Sequence, residues 1–442
     1  AVGITSWTTT PSACSSSSSY AGFFQMVSPG GGVSVTSLYT DWEMIATVSA
    51  PSITSISTSG GNATAINGKV ANAGRNYKVD VYLDGSSSIF ATANVNASSG
   101  NWSVNVSGVP AGLHTFTAVA RFGKWSKSSA TAGSFSRGLT VDRIDGADRF
   151  AVGVKIAQAA YPSGGAPVIF ITTGFNYPDA LSAAPAAALN DGLLMLTNPT
   201  SLPANVKAEI VRQGPAKIVV VGGVNSVSSA VFNALKTLAP EVVRWAGADR
   251  FSASRSIVRN AFVDEGITPT TAYIATGYNF PDALSASGAG GAYGYPVILV
   301  PGNATSLDSA TLQLLEDLGV TKVKIAGGPN SVSAGIFNQL KVLYTTVRLS
   351  GADRFEASKN IAVDAFGSAL PQSAYIATGY NFPDALAGAP LAGMNSAPLI
   401  VVPTNCVPAS TLDALRAFTT KKVTLLGGVY SLTPDVAALK SC

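Results

Sequence analysis

The chain has 442 residues, of which 47% are hydrophobic and only 12% charged, with a formal net charge of +4. That length holds about three to five domains, and its apolar residues come in short runs, far below the roughly 18 needed for a transmembrane helix, so a membrane span is excluded. Residues 1–138 carry seven Lys/Arg against four Asp/Glu and the remainder 21 against 20, so no broad basic field exists and nucleic acid is excluded as a partner.

The chain starts at Ala1 rather than Met, as expected of a secreted protein whose signal peptide has been removed. Residues 1–48 read as a β-rich N-terminal extension interrupted by Ser15–Ser19 and Gly30–Gly32. Residues 49–138 show short alternating strands: Lys78–Leu83, ending at the turn pair Asp84-Gly85, then Trp102–Val106 and Leu113–Arg121. Turn residues recur roughly every 8–12 positions, which predicts an all-β sandwich. The tight, glycine-rich pattern resembles bacterial immunoglobulin-like domains. The triplets Asn62-Ala-Thr and Asn101-Trp-Ser are read as chance in a Ser/Thr-rich stretch rather than as glycan acceptors.

After residue 138 three motifs recur in fixed order. Gly-Ala-Asp-Arg-Phe starts at Gly146, Gly247 and Gly351; Asn-(Tyr/Phe)-Pro-Asp-Ala-Leu starts at Asn176, Asn279 and Asn381; Gly-Gly-x-x-Ser starts at Gly222, Gly327 and Gly427. This divides the chain into repeats over 139–243, 244–347 and 348–442. In the first, Val141–Ile144 reads as a strand and Asp148 caps a helix to Ala160. Strands follow over Pro167–Thr172, Leu193–Thr197 and Lys217–Val221, with helices from Pro178, over Pro203–Gln213 and over Ser228–Leu238. Runs such as Ile218–Val221 do not alternate, so both faces are buried. Three α/β modules with parallel sheets wrapped by helices are predicted.

Each motif has a structural and a functional reading. Asn279 suits a helix N-cap, Pro281 the first turn and Asp282 the positive end of the dipole. The same motif lies at the C-terminal end of a parallel strand, where open α/β folds bind ligands. The Gly-Gly loop allows close backbone approach and suits an anion, but it has the spacing of neither a nucleotide P-loop nor a dinucleotide fingerprint. Asp249 caps a helix beside Arg250, a cation unfavourable there unless an anion meets it. That anion is the aspartate of a neighbouring repeat, a ligand, or both.

Nothing assembles for catalysis, and no cofactor is implied. The single histidine, His114, lies outside the repeats, the serines have no recognisable base, and metal-ligand spacings are absent. Of three cysteines, Cys406 follows an apolar run and Cys442 ends the chain, and neither has a counterpart in the first two repeats. In an oxidising compartment these two are expected to join. Cys14 is then left over, as a free thiol or a link between chains.

Arg143–Phe150, Asn176–Ser182 and Val220–Ser228, with their two further copies, resemble the cell wall binding repeat 2 family. The likeness covers about 141–442. It implies a surface protein of a Gram-positive bacterium, held non-covalently through three modules packed as a triangle, with an anionic secondary cell wall polymer as partner in the grooves between them. Carried onto this sequence, it points to the pairs Asp148/Arg149, Asp249/Arg250 and Asp353/Arg354, and to Asn176/Asp179, Asn279/Asp282 and Asn381/Asp384. The function so implied is a non-catalytic anchor displaying the β-domain for adhesion or for self-assembly into a surface layer. The alternative is a wall-modifying enzyme that uses the repeats to bind substrate.

Overall fold

The computed structural model describes residues 49–442 except 60–61, 72–76, 110–111, 123–124, 128–132 and 138. The expected β-rich extension and Cys14 lie outside the described residues. The N-terminal part holds β1 (Pro51–Ser59), β2 (Asn62–Val70), β3 (Lys78–Leu83), β4 (Ala91–Asn94), β5 (Asn101–Asn105), β6 (Gly112–Phe122), β7 (Trp125–Lys127) and β8 (Gly133–Arg137). They form two antiparallel sheets, β1-β2-β5 and β4-β3-β6-β7 with β8 also on β6. Ile66, Val79, Val81, Trp102 and Phe116 fill one shared core. Asp84 and Gly85 both have positive φ (51° and 70°), the tight turn that the Asp-Gly pair predicts.

The first repeat runs β9 (Thr140–Ile144), α1 (Arg149–Ala160), β10 (Val168–Thr173), α2 (Pro178–Leu189), β11 (Leu193–Thr197), α3 (Ala204–Gln213), β12 (Lys217–Val221) and α4 (Ser229–Leu235). The second runs β13 (Glu241–Trp245), α5 (Arg250–Val258) extended by a π turn over Arg259–Val263, β14 (Thr271–Thr276), α6 (Pro281–Tyr293), β15 (Val297–Val300), α7 (Ser309–Asp317), β16 (Lys322–Ala326) and α8 (Ala334–Leu343). The third runs β17 (Thr345–Leu349), α9 (Arg354–Phe366), β18 (Ser373–Thr378), α10 (Pro383–Met394), β19 (Leu399–Val402), α11 (Ala409–Ala417), β20 (Lys422–Leu426) and α12 (Pro434–Ala437). Every residue of β10 and of β14 is buried, as their unbroken apolar character requires.

The three sheets are parallel, with strand orders β11-β10-β12-β13, β15-β14-β16-β17 and β19-β18-β20-β9. The strand that opens each repeat therefore completes the sheet of the repeat before it. The first repeat has no predecessor, and its β9 pairs with β20, from Thr140 on Lys422 to Ile144 on Leu426. Val141–Ile144, read from sequence as part of the first module, is the edge strand of the third. This pairing closes the repeats into a ring and covers an edge of β20 that would otherwise be open.

At the centre stand α2, α6 and α10, which contact one another in all three combinations. Their sequences are almost entirely Ala, Gly, Ser, Pro and Leu, and small residues are what allow three helices to meet on a line. A Cβ on Gly291 would lie 2.8 Å from the Ala188 Cβ, and one on Gly393 3.0 Å from it. These three residues occupy equivalent positions near the helix C-termini. At the opposite end Tyr177, Phe280 and Phe382, also equivalent, pack ring against ring at centroid distances of 5.5, 5.7 and 5.8 Å. A pseudo-threefold axis therefore runs along the helices, whose N-termini point to the same end. Cys406 and Cys442 are joined by a disulfide spanning 36 positions, which ties the chain end to the third module.

Candidate functional site

The motif residues gather at the three junctions between modules. Where β12, β16 and β20 end, Gly222, Gly327 and Gly427 turn the chain at φ of 101°, 104° and 107°. A Cβ at any of them would lie 2.3 Å from the Oδ2 of Asp179, Asp282 or Asp384, so glycine is needed for the turn and for the approach. The serine of each loop donates its hydroxyl to that same carboxylate: Ser226 to Asp179 at 2.7 Å, Ser331 to Asp282 at 2.8 Å and Ser431 to Asp384 at 3.0 Å. Burial raises the pKa of all three aspartates, against the lowering effect of the serine and of an arginine from the next module.

That arginine is Arg250 for Asp179, Arg354 for Asp282 and, around the closed ring, Arg149 for Asp384. Each donates to a carbonyl of its own module: Arg149 to Gly174 at 2.5 Å, Arg250 to Gly277 at 2.7 Å and Arg354 to Gly379 at 2.8 Å. Among the described residues none forms a direct ion pair with the facing aspartate. The inter-repeat attraction considered from sequence is present, at longer range, and the arginines stay partly exposed.

The other expected site residues are placed less favourably for a ligand. Asp148, Asp249 and Asp353 each cap a helix, and each accepts from two backbone N–H groups at 2.7–2.9 Å. Asn176, Asn279 and Asn381 are exposed but are not the caps. The helices begin at Pro178, Pro281 and Pro383, and Tyr177, Phe280 and Phe382 take the cap position with no side-chain bond. Each asparagine Oδ1 instead accepts the N–H of the aromatic residue after it. The cap goes to the residue whose ring must reach the axis.

A second arginine set belongs to the junctions and was missed. Arg244 donates to the carbonyls of Gly222 and Val227, Arg348 to Gly327 and Val332, and Arg143 to Gly427 and Leu432. Burial lowers the pKa of each. They pin the Gly-Gly loop of one module to the strand donated by the next. Their signal was available: an arginine stands three residues before every Gly-Ala-Asp-Arg-Phe.

Three α/β modules close around an axis, with one polar set repeated at every junction, and this is the architecture of a tandem-repeat fold. The chain belongs to the Cell wall binding domain 2 (CWB2) family, whose profile matches residues 143–232, 244–337 and 348–437. Membership places it at the cell wall or cell surface. It shares its fold with Cwp6 from Clostridium difficile, at TM-score 0.63 and 22% identity over 86% of this chain and 66% of that one. Cwp8 from the same organism aligns at TM-score 0.62 and 24% identity over 75% and 59%. In sequence it is 30% identical over 262 residues to N-acetylmuramoyl-L-alanine amidase LytC of Bacillus subtilis (strain 168), which is 59% of this chain and 50% of that protein. It is 28% identical over 297 residues to the amidase enhancer of the same strain, 67% of this chain and 39% of that protein. The chain thus spans half or less of the curated relatives it matches. Among the described residues no helix is long and apolar enough to cross a membrane.

Proposed function

We propose that this protein is a non-catalytic, secreted surface protein, anchored through its three junctions to an anionic secondary cell wall polymer. Its β-domain, read as an immunoglobulin-like sandwich, is the displayed part, serving adhesion or assembly into a surface array. The observation that carries the proposal is the triplicated Asp–Ser–Arg set. The partly exposed guanidinium of each set donates to a carbonyl of its own module and, among the described residues, forms no direct ion pair with the facing carboxylate, which leaves its charge available to an anionic group. Three individually weak sites on one rigid frame anchor firmly through avidity.

The test replaces Arg149, Arg250 and Arg354 by Gln, singly and together, and measures retention on purified sacculi before and after removal of the secondary polymer. The triple variant should be released far more readily than any single one. Equal binding to stripped and unstripped sacculi overturns the proposal. The competing reading, a wall-modifying enzyme, is favoured by the names of the two sequence relatives. Release of reducing sugar or free amine from sacculi by the pure protein would establish it.

A further inference from the structure

Each junction also carries an exposed aromatic ring. Phe175, Tyr278 and Tyr380 directly precede the motif asparagines, and 57, 51 and 59% of their surface is open to solvent. A single exposed ring needs no explanation. Three at equivalent positions, on the axis end where Tyr177, Phe280 and Phe382 meet, form a patterned apolar surface.

The rings are fixed in place. Phe150, Phe251 and Phe355 pack against them at centroid distances of 6.3, 5.4 and 5.4 Å. Their backbone N–H groups donate to the hydroxyls of Thr173, Thr276 and Thr378 at 3.1, 3.2 and 3.3 Å. The Arg149 guanidinium lies 5.3 Å from the Phe175 centroid and that of Arg354 5.9 Å from Tyr380. Two of the rings therefore stand beside a junction arginine, and each of the three is followed in the chain by an exposed asparagine.

We infer that Phe175, Tyr278 and Tyr380 are stacking platforms for pyranose rings of the wall polymer, one at each junction. The inference rests on the anchoring reading above and names the chemistry of its ligand. A pyranose presents a face of C–H groups and an edge of hydroxyls. An aromatic face takes the first, and the amide of Asn176, Asn279 or Asn381 meets the second. The neighbouring arginine matches a negative substituent on the same sugar, so shape and charge agree on an acidic glycan. The third junction has an additional ring: Tyr430, 97% exposed, stands in its Gly-Gly loop where the other two loops have Asn225 and Asn330.

The test compares leucine, which keeps apolar area but loses the flat face, with tryptophan, which enlarges it. Polysaccharide released from purified sacculi by mild acid is titrated against immobilised full-length protein. One change, such as Tyr278→Leu, should weaken binding roughly threefold to tenfold. Phe175→Leu, Tyr278→Leu and Tyr380→Leu together should weaken it by about a hundredfold, since the sites are linked. Melting temperatures should be unchanged, and Trp at the same three positions should hold or tighten binding. A folded triple leucine variant that binds like the parent overturns this inference and leaves the anchoring reading standing. So does equal loss in the leucine and tryptophan variants. Parent protein that ignores the polymer overturns both.

Discussion

The axis and the junctions of this ring both repeat three times, for different reasons. At the axis, Ala188, Gly291 and Gly393 recur because backbones meet there, and no other size fits. At the junctions, packing accounts for part of what recurs, the turn glycines and the loop-pinning arginines, and leaves part of it open. Two junctions contain a buried hydroxyl pair, Ser182 with Ser254 and Ser285 with Ser358, both at 2.7 Å. The third has Ala387 against Gly153 at the same place. Both partners have changed together, the one exchange that leaves no buried group unpaired. Lys324 and Asp364 bridge the second and third modules at 2.5 Å, whereas Val219 and Thr424 stand at the lysine position in the other strands. Some structural contacts across these interfaces are thus free to differ, whereas Arg143, Arg244 and Arg348 pin the loops at all three. The Asp–Ser–Arg set also recurs at all three, and the proposed ligand contact is placed on its arginines.

The strongest way to break the comparison is at the axis. Gly393→Leu places a side chain where a Cβ alone would already sit 2.9 Å from the Gly291 backbone and 3.0 Å from the Ala188 Cβ. The expected cost is about 3 kcal/mol or more, read as a large fall in melting temperature. Wall binding should survive below the new transition, because no junction residue has changed. Loss of binding in the still-folded variant would show that axis and junctions are not separable.

Much of each module was legible in the sequence because local rules agree there. Asp148 caps α1 and α1 ends at Ala160 as read, and β11 and β12 match residue for residue. What sequence could not supply is which sheet a strand joins. Periodicity marks the repeating unit but not where it is cut in space, so β9 was assigned to the first module although it pairs with β20. The asparagine cap failed for a related reason. Local preference favours Asn at that position, but the ring of Phe280 is required at the axis, and that is a property of three chain segments together. Arg143, Arg244 and Arg348 were passed over because their role is to hold carbonyls of another repeat.

A smaller effect is expected where two modules meet without repetition. The side chain of Lys324 is 9% exposed and that of Asp364 26%. Asp364→Leu leaves an ammonium group largely buried and unpaired, at a cost of about 2 kcal/mol after allowing for the partial exposure of the aspartate. Adding Lys324→Met should recover most of that, since removing both charges also removes both desolvation terms. A double-mutant cycle of melting curves measures the coupling. Recovery would confirm that this pair is dispensable to the ring. A double variant as unstable as the single one would make it a requirement of the second junction.

The smallest effect is the most informative about the site. Burial raises the pKa of Asp282, which means that ionising it costs more in the fold than in the unfolded chain. The stability it contributes is fully present below the unfolded pKa and is lost as pH rises through the higher folded value. At neutral pH the carboxylate is therefore a burden on the fold, offset in part by Ser331 and Arg354. Asp282→Asn keeps an oxygen to accept the Ser331 hydroxyl and removes the charge. It should raise the melting temperature by a few degrees at pH 7, and the gain should vanish once pH falls below the ordinary aspartate range. Retention on sacculi should hold or tighten in the same variant, because Arg354 stays on the Gly379 carbonyl and no longer faces a negative charge that competes with the polymer. A variant less stable than the parent at pH 7 would mean that attraction to Arg354 outweighs burial. The junction carboxylates would then belong with Lys324 and Asp364, as fastenings of the ring. Greater stability with retention unchanged or tighter would mean that the guanidinium, and not the carboxylate, meets the polymer.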